Sequence, residues 1–243
     1  MKGRLLEGTL GDAYSNVALE EALLKSGGRP TLRVWRNQES VVIGRAQLAK
    51  LETDVDYCVR NYIPVVRRVS AGGAVYNGRG NLNWSYFVPT TGGALGGAKG
   101  VFESFAAVVV GALRECGVDA RFEGPNSIVD ARGKISGMAA YVSKDRTLCH
   151  GTLLVDADLG LAERLTRPSG EAPDKKYPRS RSAVMSNCGV NAAEFVPRLA
   201  GAGGYDFERG DLVEDEKSSL ASLEGKYRSE RWNLGDPFGL DDF

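Results

Sequence analysis

The sequence predicts a mixed α/β (α+β) fold, a largely antiparallel sheet with flanking helices, on three observations. Short strand-like runs alternate with tight turns through residues 127–155, the pattern of antiparallel pairing. Apolar residues recur at helical spacing in residues 12–25 and 101–116. Helices and strands are interleaved along the chain, which argues against an all-β sandwich.

Taken in order, Val17, Leu19, Leu23 and Leu24 mark the first helix, and Gly27 and Gly28 can end it in a left-handed turn. Residues 31–35 and 40–43 are β-rich runs separated by a polar turn, so they read as adjacent strands. Val55, Cys58, Val59 and Tyr62 repeat at i, i+3, i+4 and i+7, giving a short helix that Pro64 stops. A strand over residues 64–68 follows. Asn77-Gly78, with Gly80 close behind, predicts a hairpin whose return strand is residues 81–88, with Asn81 and Asn83 sharing one face.

Residues 90–100 are rich in glycine and read as a flexible connection or a mobile cover. Phe102, Phe105, Val109, Leu113 and Cys116 then form the strongest helical stripe in the chain. The runs SIVD, KISGMAAYV and TLCHGTLLV follow as strands. Residues 166–181 hold three prolines and several basic residues, which fits solvated surface or a flap that orders over an anion. Residues 191–199 and 212–226 are helical, and the tail after Trp232 has no regular pattern. With no repeat and no clean linker, the expectation is one domain over residues 1–243.

Composition removes several function classes. Lys+Arg and Asp+Glu both total 31, so no global field recruits nucleic acid or an anionic membrane. The longest apolar run, residues 105–113, is far short of a membrane span, and the N-terminus lacks an apolar signal core; a soluble cytoplasmic protein is expected. The four cysteines form no CxxC pair, which fits reduced thiols. His150 is the only histidine, so a multi-histidine metal site is excluded. GxSxG, GxGxxG and GxxxxGK[ST] are all absent.

Two stretches carry chemistry. In PVVRRVSAGGAVYNGRGNLNW, paired arginines precede a turn of Ser70, Ala71, Gly72 and Gly73. Small residues let backbone N–H groups approach a ligand, and a guanidinium adds positive charge, a combination suited to carboxylate or phosphate. An ordinary hairpin with solvated arginines would use the same residues. The second stretch is ARGKISGMA, where Lys134 opens a strand after a tight turn. Small apolar neighbours can fix its ammonium where negative charge develops, although a plain hairpin lysine would look alike.

Read jointly, RRVSAGGAVYNGRGN, NSIVDARGKISGMA and HGTLLVDADL resemble the lipoate-protein ligase A family within the biotin and lipoate ligase superfamily. SNVALEEALL, SVVIGRAQ and KYRSERWNLGDP extend the resemblance from about residue 12 to residue 237. It implies a biotin/lipoate ligase-like catalytic fold that uses ATP and Mg²⁺ to make lipoyl-adenylate from lipoate. The acyl group then passes to a lysine of a lipoyl carrier domain, such as a 2-oxoacid dehydrogenase E2 or a glycine cleavage H protein.

By the same resemblance, Lys134 is the catalytic lysine that contacts the lipoyl carbonyl and the adenylate phosphate. Arg68, Gly72, Gly73, Ala74, Val75, Tyr76, Asn81, Asn83, Asn126, Gly137 and His150 match positions that bind ATP or the lipoyl-adenylate. Residues 166–181 match a segment that closes over the adenylate, and Val17, Val42 and Val75 are candidates to line the acyl pocket.

The chain also departs from the pattern. Ala71 replaces the first of three glycines, Asn77-Gly78 stands for His-Asp, and Ser127 stands where an aspartate that could help hold Mg²⁺ is common. Single-chain bacterial members continue into a C-terminal domain, whereas this sequence stops at Phe243; the expectation is a separate accessory subunit. Two alternatives are an octanoyltransferase acting through a thioester on Cys149 or Cys188, and a non-catalytic protein that binds lipoate or its carriers.

Overall fold

Two β-sheets organise the chain, whose computed structural model describes residues 1–90 and 97–240. The strands are β1 (Lys2–Glu7), β2 (Thr31–Trp35), β3 (Ser40–Ile43), β4 (Val65–Arg67), β5 (Val75–Asn77), β6 (Asn81–Pro89), β7 (Arg121–Glu123), β8 (Ser127–Val129), β9 (Lys134–Val142), β10 (Arg146–Leu154) and β11 (Asp206–Arg209). The helices are α1 (Ala13–Lys25), α2 (Ala49–Glu52), α3 (Val55–Arg60), α4 (Gly97–Glu115), α5 (Leu159–Leu165), α6 (Ala192–Ala202), α7 (Glu214–Arg228) and α8 (Glu230–Leu234).

The larger sheet has eight strands in the order β11-β1-β2-β6-β10-β9-β8-β7, antiparallel from β2 to β7 and parallel on both sides of β1. The smaller has three, with β3 between parallel β4 and antiparallel β5. The mixed, mostly antiparallel architecture expected from the sequence is the one observed.

Period-two alternation divides the large sheet into two chemically different faces. On one, Leu32, Val34, Leu82, Trp84, Tyr86, Cys149 and Leu153 pack with α4 and α6 residues such as Val109, Leu113 and Phe195 into an apolar core. On the other, register places Trp35, Asn83 and Thr152 in one row and Arg33, Ser85, His150 and Ala139 in the next. Helix α1, capped by Asp12 Oδ1 accepting from Ser15 N–H at 2.8 Å, covers part of that second face.

Several sequence expectations are corrected. β2 and β3 are not neighbours: β1 and β6 occupy both edges of β2, so β3 nucleates the small sheet instead. Asn77-Gly78 does not close a hairpin. The Asn81 amide accepts from Gly78 N–H (2.9 Å) and donates to the Tyr76 carbonyl (3.2 Å), turning the chain from one sheet into the other.

Helix α4 starts at Gly97, within the segment read as a flexible connection; residues 91–96 of that segment lie outside the described residues. Strands β1, β7 and β11 go beyond the sequence reading, and the tail read as irregular after Trp232 holds the end of α8 and a 3₁₀ turn at Pro237–Gly239. No helix of the described residues is long and apolar enough to cross a membrane.

Candidate active site

The site lies where the second face of the large sheet meets the loop after β4. That loop is braced by its own arginine. Arg68 Nε donates to Ser70 Oγ (3.0 Å), Nη1 to the Val42 carbonyl (3.1 Å), and Nη2 to the Ala71 and Gly73 carbonyls (both 2.9 Å). Burial pushes this guanidinium down to about 10. Gly72 takes φ +106°, a conformation that side chains disfavour, and its carbonyl lies 2.1 Å from where a Cβ on Gly44 would stand. Small residues here serve a close backbone crossing.

A buried polar chain runs on from this loop. Ser70 Oγ lies 2.7 Å from His150 Nε2, and His150 Nδ1 lies 2.8 Å from Glu20 Oε1. Ser85 Oγ donates to the same carboxylate oxygen and accepts from Trp35 Nε1 (3.4 Å). Because Glu20 accepts from Nδ1–H and Ser70 already accepts from Arg68, the chain is satisfied with the Ser70 hydroxyl donating to Nε2. Burial acts to raise the Glu20 carboxyl, but His150, Ser85 and the Arg33 charge outweigh it and hold the group below its ordinary range.

Lys134 enters from the opposite side. Its backbone is pinned by a bond to the Val184 carbonyl (2.8 Å) and one from Ser186 N–H (3.0 Å). The turn before it is held by Asp130 Oδ1, which accepts from Arg132 N–H (2.8 Å), Gly133 N–H (3.0 Å) and Ser186 Oγ (2.9 Å). The ammonium has no hydrogen-bond or ion-pair partner among the described residues, and burial pushes its pKa down.

These parts surround two joined cavities. The first, of about 310 Å³, is lined by Val17, Glu20, Trp35, Val42 and Val75 together with Lys134, Gly137 and Asn126. The second, of about 660 Å³, runs from Ala74 to Tyr76 past Leu159 to Arg167 and Arg181. Ala74, Val75, Lys134, Gly137, Thr152, Ser180 and Arg181 border both. Neither Arg167 nor Arg181 has an ion-pair partner among the described residues.

Of the residues singled out in the sequence, Arg68, Gly72, Gly73, Ala74, Val75, Asn83, Asn126, Lys134, Gly137 and His150 line the first cavity, and Tyr76 lines the second. Val17, Val42 and Val75, the candidates for the acyl pocket, line the first cavity as well. Asn81 borders neither cavity, its amide being committed to the turn above it. Asn126 donates to the Met138 carbonyl (2.7 Å) while bordering the cavity.

Sequence reasoning passed over Glu20, Trp35 and Glu52, and took Ser70 and Asn77 as turn residues without seeing the buried polar groups they bring to the site. Glu20 sits among apolar helix residues, and only a buried carboxylate on a core-facing position could have flagged it. Asn77 Oδ1 and Asn83 Nδ2 are buried and have no partner among the described residues, and both residues border the first cavity.

Neither cysteine proposed as a thioester nucleophile borders either cavity. Cys149 lies in the apolar core, where burial raises its thiol far above the ordinary value, and Cys188 packs at that core's edge with its thiol also raised by burial. A nucleophile needs the opposite environment.

The model of the Lipoyl protein ligase A/B catalytic domain matches residues 12–197. The chain belongs to this family. Among solved members, the bipartite lipoate protein ligase of Thermoplasma acidophilum, described with its E2 lipoyl domain, is 30% identical with TM-score 0.83, covering 97% of each chain. A lipoate ligase of T. acidophilum with bound lipoic acid is 30% identical with TM-score 0.84 over 97% of this chain and 100% of that one. A lipoate-protein ligase A bound with ATP is also 30% identical, with TM-score 0.84 over 97% and 99%.

Proposed function

We propose that this chain, acting as one catalytic domain, is the catalytic subunit of an ATP-dependent lipoate-protein ligase. The observation that carries the reading is the uncompensated Lys134 ammonium where the two cavities join. The first cavity would take the lipoyl chain, its dithiolane end against Val17, Trp35 and Val42. The second would take the nucleotide, its phosphates toward Arg181 and Arg167. Relatives with bound lipoic acid and with bound ATP support a site that takes both ligands.

In the first half-reaction a lipoate carboxylate oxygen attacks the α-phosphorus of ATP. The bond to the leaving oxygen breaks, and pyrophosphate departs with the electron pair. In the second, a carrier lysine amine attacks the lipoyl carbonyl carbon, AMP leaves, and the amine proton passes to solvent. Lys134 is the catalytic residue of both steps, a fixed cation beside the carbonyl and the phosphate as charge develops. A phosphate beside it would raise its lowered pKa again.

Gly137 gives the lysine room, and Gly72, Gly73, Ala74 and Val75 line the path of the acyl-phosphate. Arg68 and His150 hold that loop in place. Asn83, Asn126 and Tyr76 are assigned to the ligand's polar groups. Asn81 was matched to them too, but its turn bonds favour a supporting role.

Mg²⁺ would arrive with the nucleotide, held mainly by phosphate oxygens and water. Among the described residues no group of three His, Cys, Asp or Glu side chains could hold it unaided; Glu163 is the carboxylate on the second cavity's wall that would share it. The expected acceptor is a lipoyl domain of E2 type, and the expected partner is a separate accessory subunit, both supported by the bipartite T. acidophilum system. Reduced free thiols fit a cytoplasmic setting.

Mass spectrometry of a lipoyl carrier domain incubated with this chain, lipoate and Mg²⁺ tests the reading. A lipoyl mass increase only when ATP and the accessory subunit are added is expected. Acylation from an octanoyl carrier without ATP would replace the ligase with a transferase, and turnover without an accessory subunit would remove the partner.

A further inference from the structure

The hydroxyl of Ser180 has no role in the reaction as described, yet it borders both cavities beside Lys134 and Arg181. It lies near the end of the basic loop and is held with unusual completeness. Ser180 Oγ accepts from Ala74 N–H (2.7 Å) and from Gln47 Nε2 (3.1 Å). The Gln47 amide has one consistent orientation, since its Oε1 accepts from Gly44 N–H (2.9 Å) while its Nε2 also donates to Glu52 Oε2 (2.8 Å).

Two donors occupy both lone pairs of a serine oxygen, which leaves its hydrogen as the one uncommitted hydrogen-bonding group. No described residue accepts that hydrogen. Donors converging on an oxygen also polarise its O–H and make it a stronger donor. A hydroxyl whose whole task was to fasten the loop would need nothing more. This one still presents a polarised O–H on a cavity wall that already carries two cations.

Ser180 is kept there by a fully buried carboxylate. Glu52 accepts from Arg179 Nε (2.7 Å), from Ser180 N–H (2.8 Å) and from Gln47 Nε2, tying the end of the loop to the turn that follows β3. Arg179 in turn donates to the carbonyls of Leu51 (3.0 Å), Ser169 (2.9 Å) and Gly170 (3.0 Å).

We propose that Ser180 is a ligand-binding residue whose O–H donates to an anionic oxygen of the acyl-phosphate where the two cavities meet, and that Glu52 is the residue that positions it. This rests on the ligase reading and names one donor to its intermediate.

Calorimetric titration with lipoyl-sulfamoyl-adenosine, a stable stand-in for lipoyl-adenylate, and separately with lipoate tests it on wild type, Ser180→Ala, Glu52→Gln and the double variant. Ser180→Ala is expected to weaken the analogue about ten- to hundredfold, the range for a bond to a charged group, with lipoate within about twofold. The double variant should bind no more weakly than the weaker single one, because both remove the same bond. Unchanged analogue affinity in Ser180→Ala, or equal losses for analogue and lipoate, overturns the Ser180 assignment. Additive losses overturn the role of Glu52. A wild type that binds lipoate but not the analogue overturns the ligase reading itself, and the inference with it.

Discussion

Lys134 lies across the face of Gly137, its Cε and Nζ each 3.2 Å from the place a Cβ on that glycine would occupy. The lysine therefore reaches the junction of the cavities by crossing a residue three positions along its own strand. Gly137→Ala would move the ammonium rather than the backbone, since the displaced atoms end a flexible side chain. Adenylate formation, measured as ATP–pyrophosphate exchange with the accessory subunit present, should fall about ten- to hundredfold, while denaturation midpoints stay near wild type. Lys134→Ala should fall by about a hundred- to thousandfold, and Lys134→Arg should not restore it, because a planar fork cannot take the place of a point charge.

The same lysine makes a prediction about stability. Its folded pKa lies below the ordinary value of 10.5, so the unfolded chain binds the proton more tightly and folding works against the charge. Stability therefore rises with pH between the lowered folded value and 10.5. Lys134→Met should be more stable than wild type at pH 7 by about 0.5–1 kcal/mol, the usual yield of relieving one functional strain. Urea titrations at pH 7 and pH 10 should show the gap shrinking. A gap that is absent at pH 7 would mean that the ammonium is well solvated.

Cys149 and Cys188 should be dispensable for acyl transfer. Cys149→Ala should keep activity within about twofold while losing about 1–2 kcal/mol of stability, as small truncations in a packed core do. Cys188→Ala should change neither by as much. Loss of carrier acylation in either variant, at a temperature where it is folded, would restore the thioester alternative.

Arg67 and Arg68 show how far the sequence could be read. Adjacent arginines before a small-residue turn do mark the site, but chain order alone cannot say which way each guanidinium turns. Arg68 lines the cavity and braces the turn; Arg67, on the opposite side of the strand, is wholly buried among main-chain carbonyls. Lys134 was legible because a short turn and small neighbours are local signals. Glu20, Glu52 and Ser180 were not, because their partners lie 130, 127 and 106 residues away in the chain. Asn77-Gly78 misled for a related reason: turn chemistry specifies a reversal without saying which sheet receives the next strand.

For Arg67 the expected outcome is structural. Its Nε donates to the Trp232 carbonyl (2.7 Å), Nη1 to Gln47 (2.6 Å) and Arg45 (3.0 Å), and Nη2 to Gly235 (3.0 Å), so it fastens α8 to the turn beneath the site. Lysine cannot span these acceptors. Arg67→Lys should destabilise the chain by about 2–4 kcal/mol through carbonyls left unpaired. Hydrogen exchange should show residues 230–240 losing protection before the large sheet does. Uniform loss of protection would mean that the arginine supports the whole fold.

Glu20 supplies a pH signature for the chain of bonds behind the glycine turn. Its carboxyl titrates below its ordinary value in the fold, so it contributes stability that is present above the unfolded pKa, near about 4.3, and is lost as pH falls through the folded value. Glu20→Gln keeps the shape but gives up the charge that faces His150, Arg33 and Arg68. The variant should be less stable than wild type at pH 7 by about 1–3 kcal/mol, the range for a bond to a charged group. Because wild type alone loses this contribution in acid, urea titrations from pH 7 to pH 3.5 should show the two curves converging. A constant gap would place the cost of the substitution in packing and leave the carboxylate without an electrostatic part in holding Ser70 and the turn.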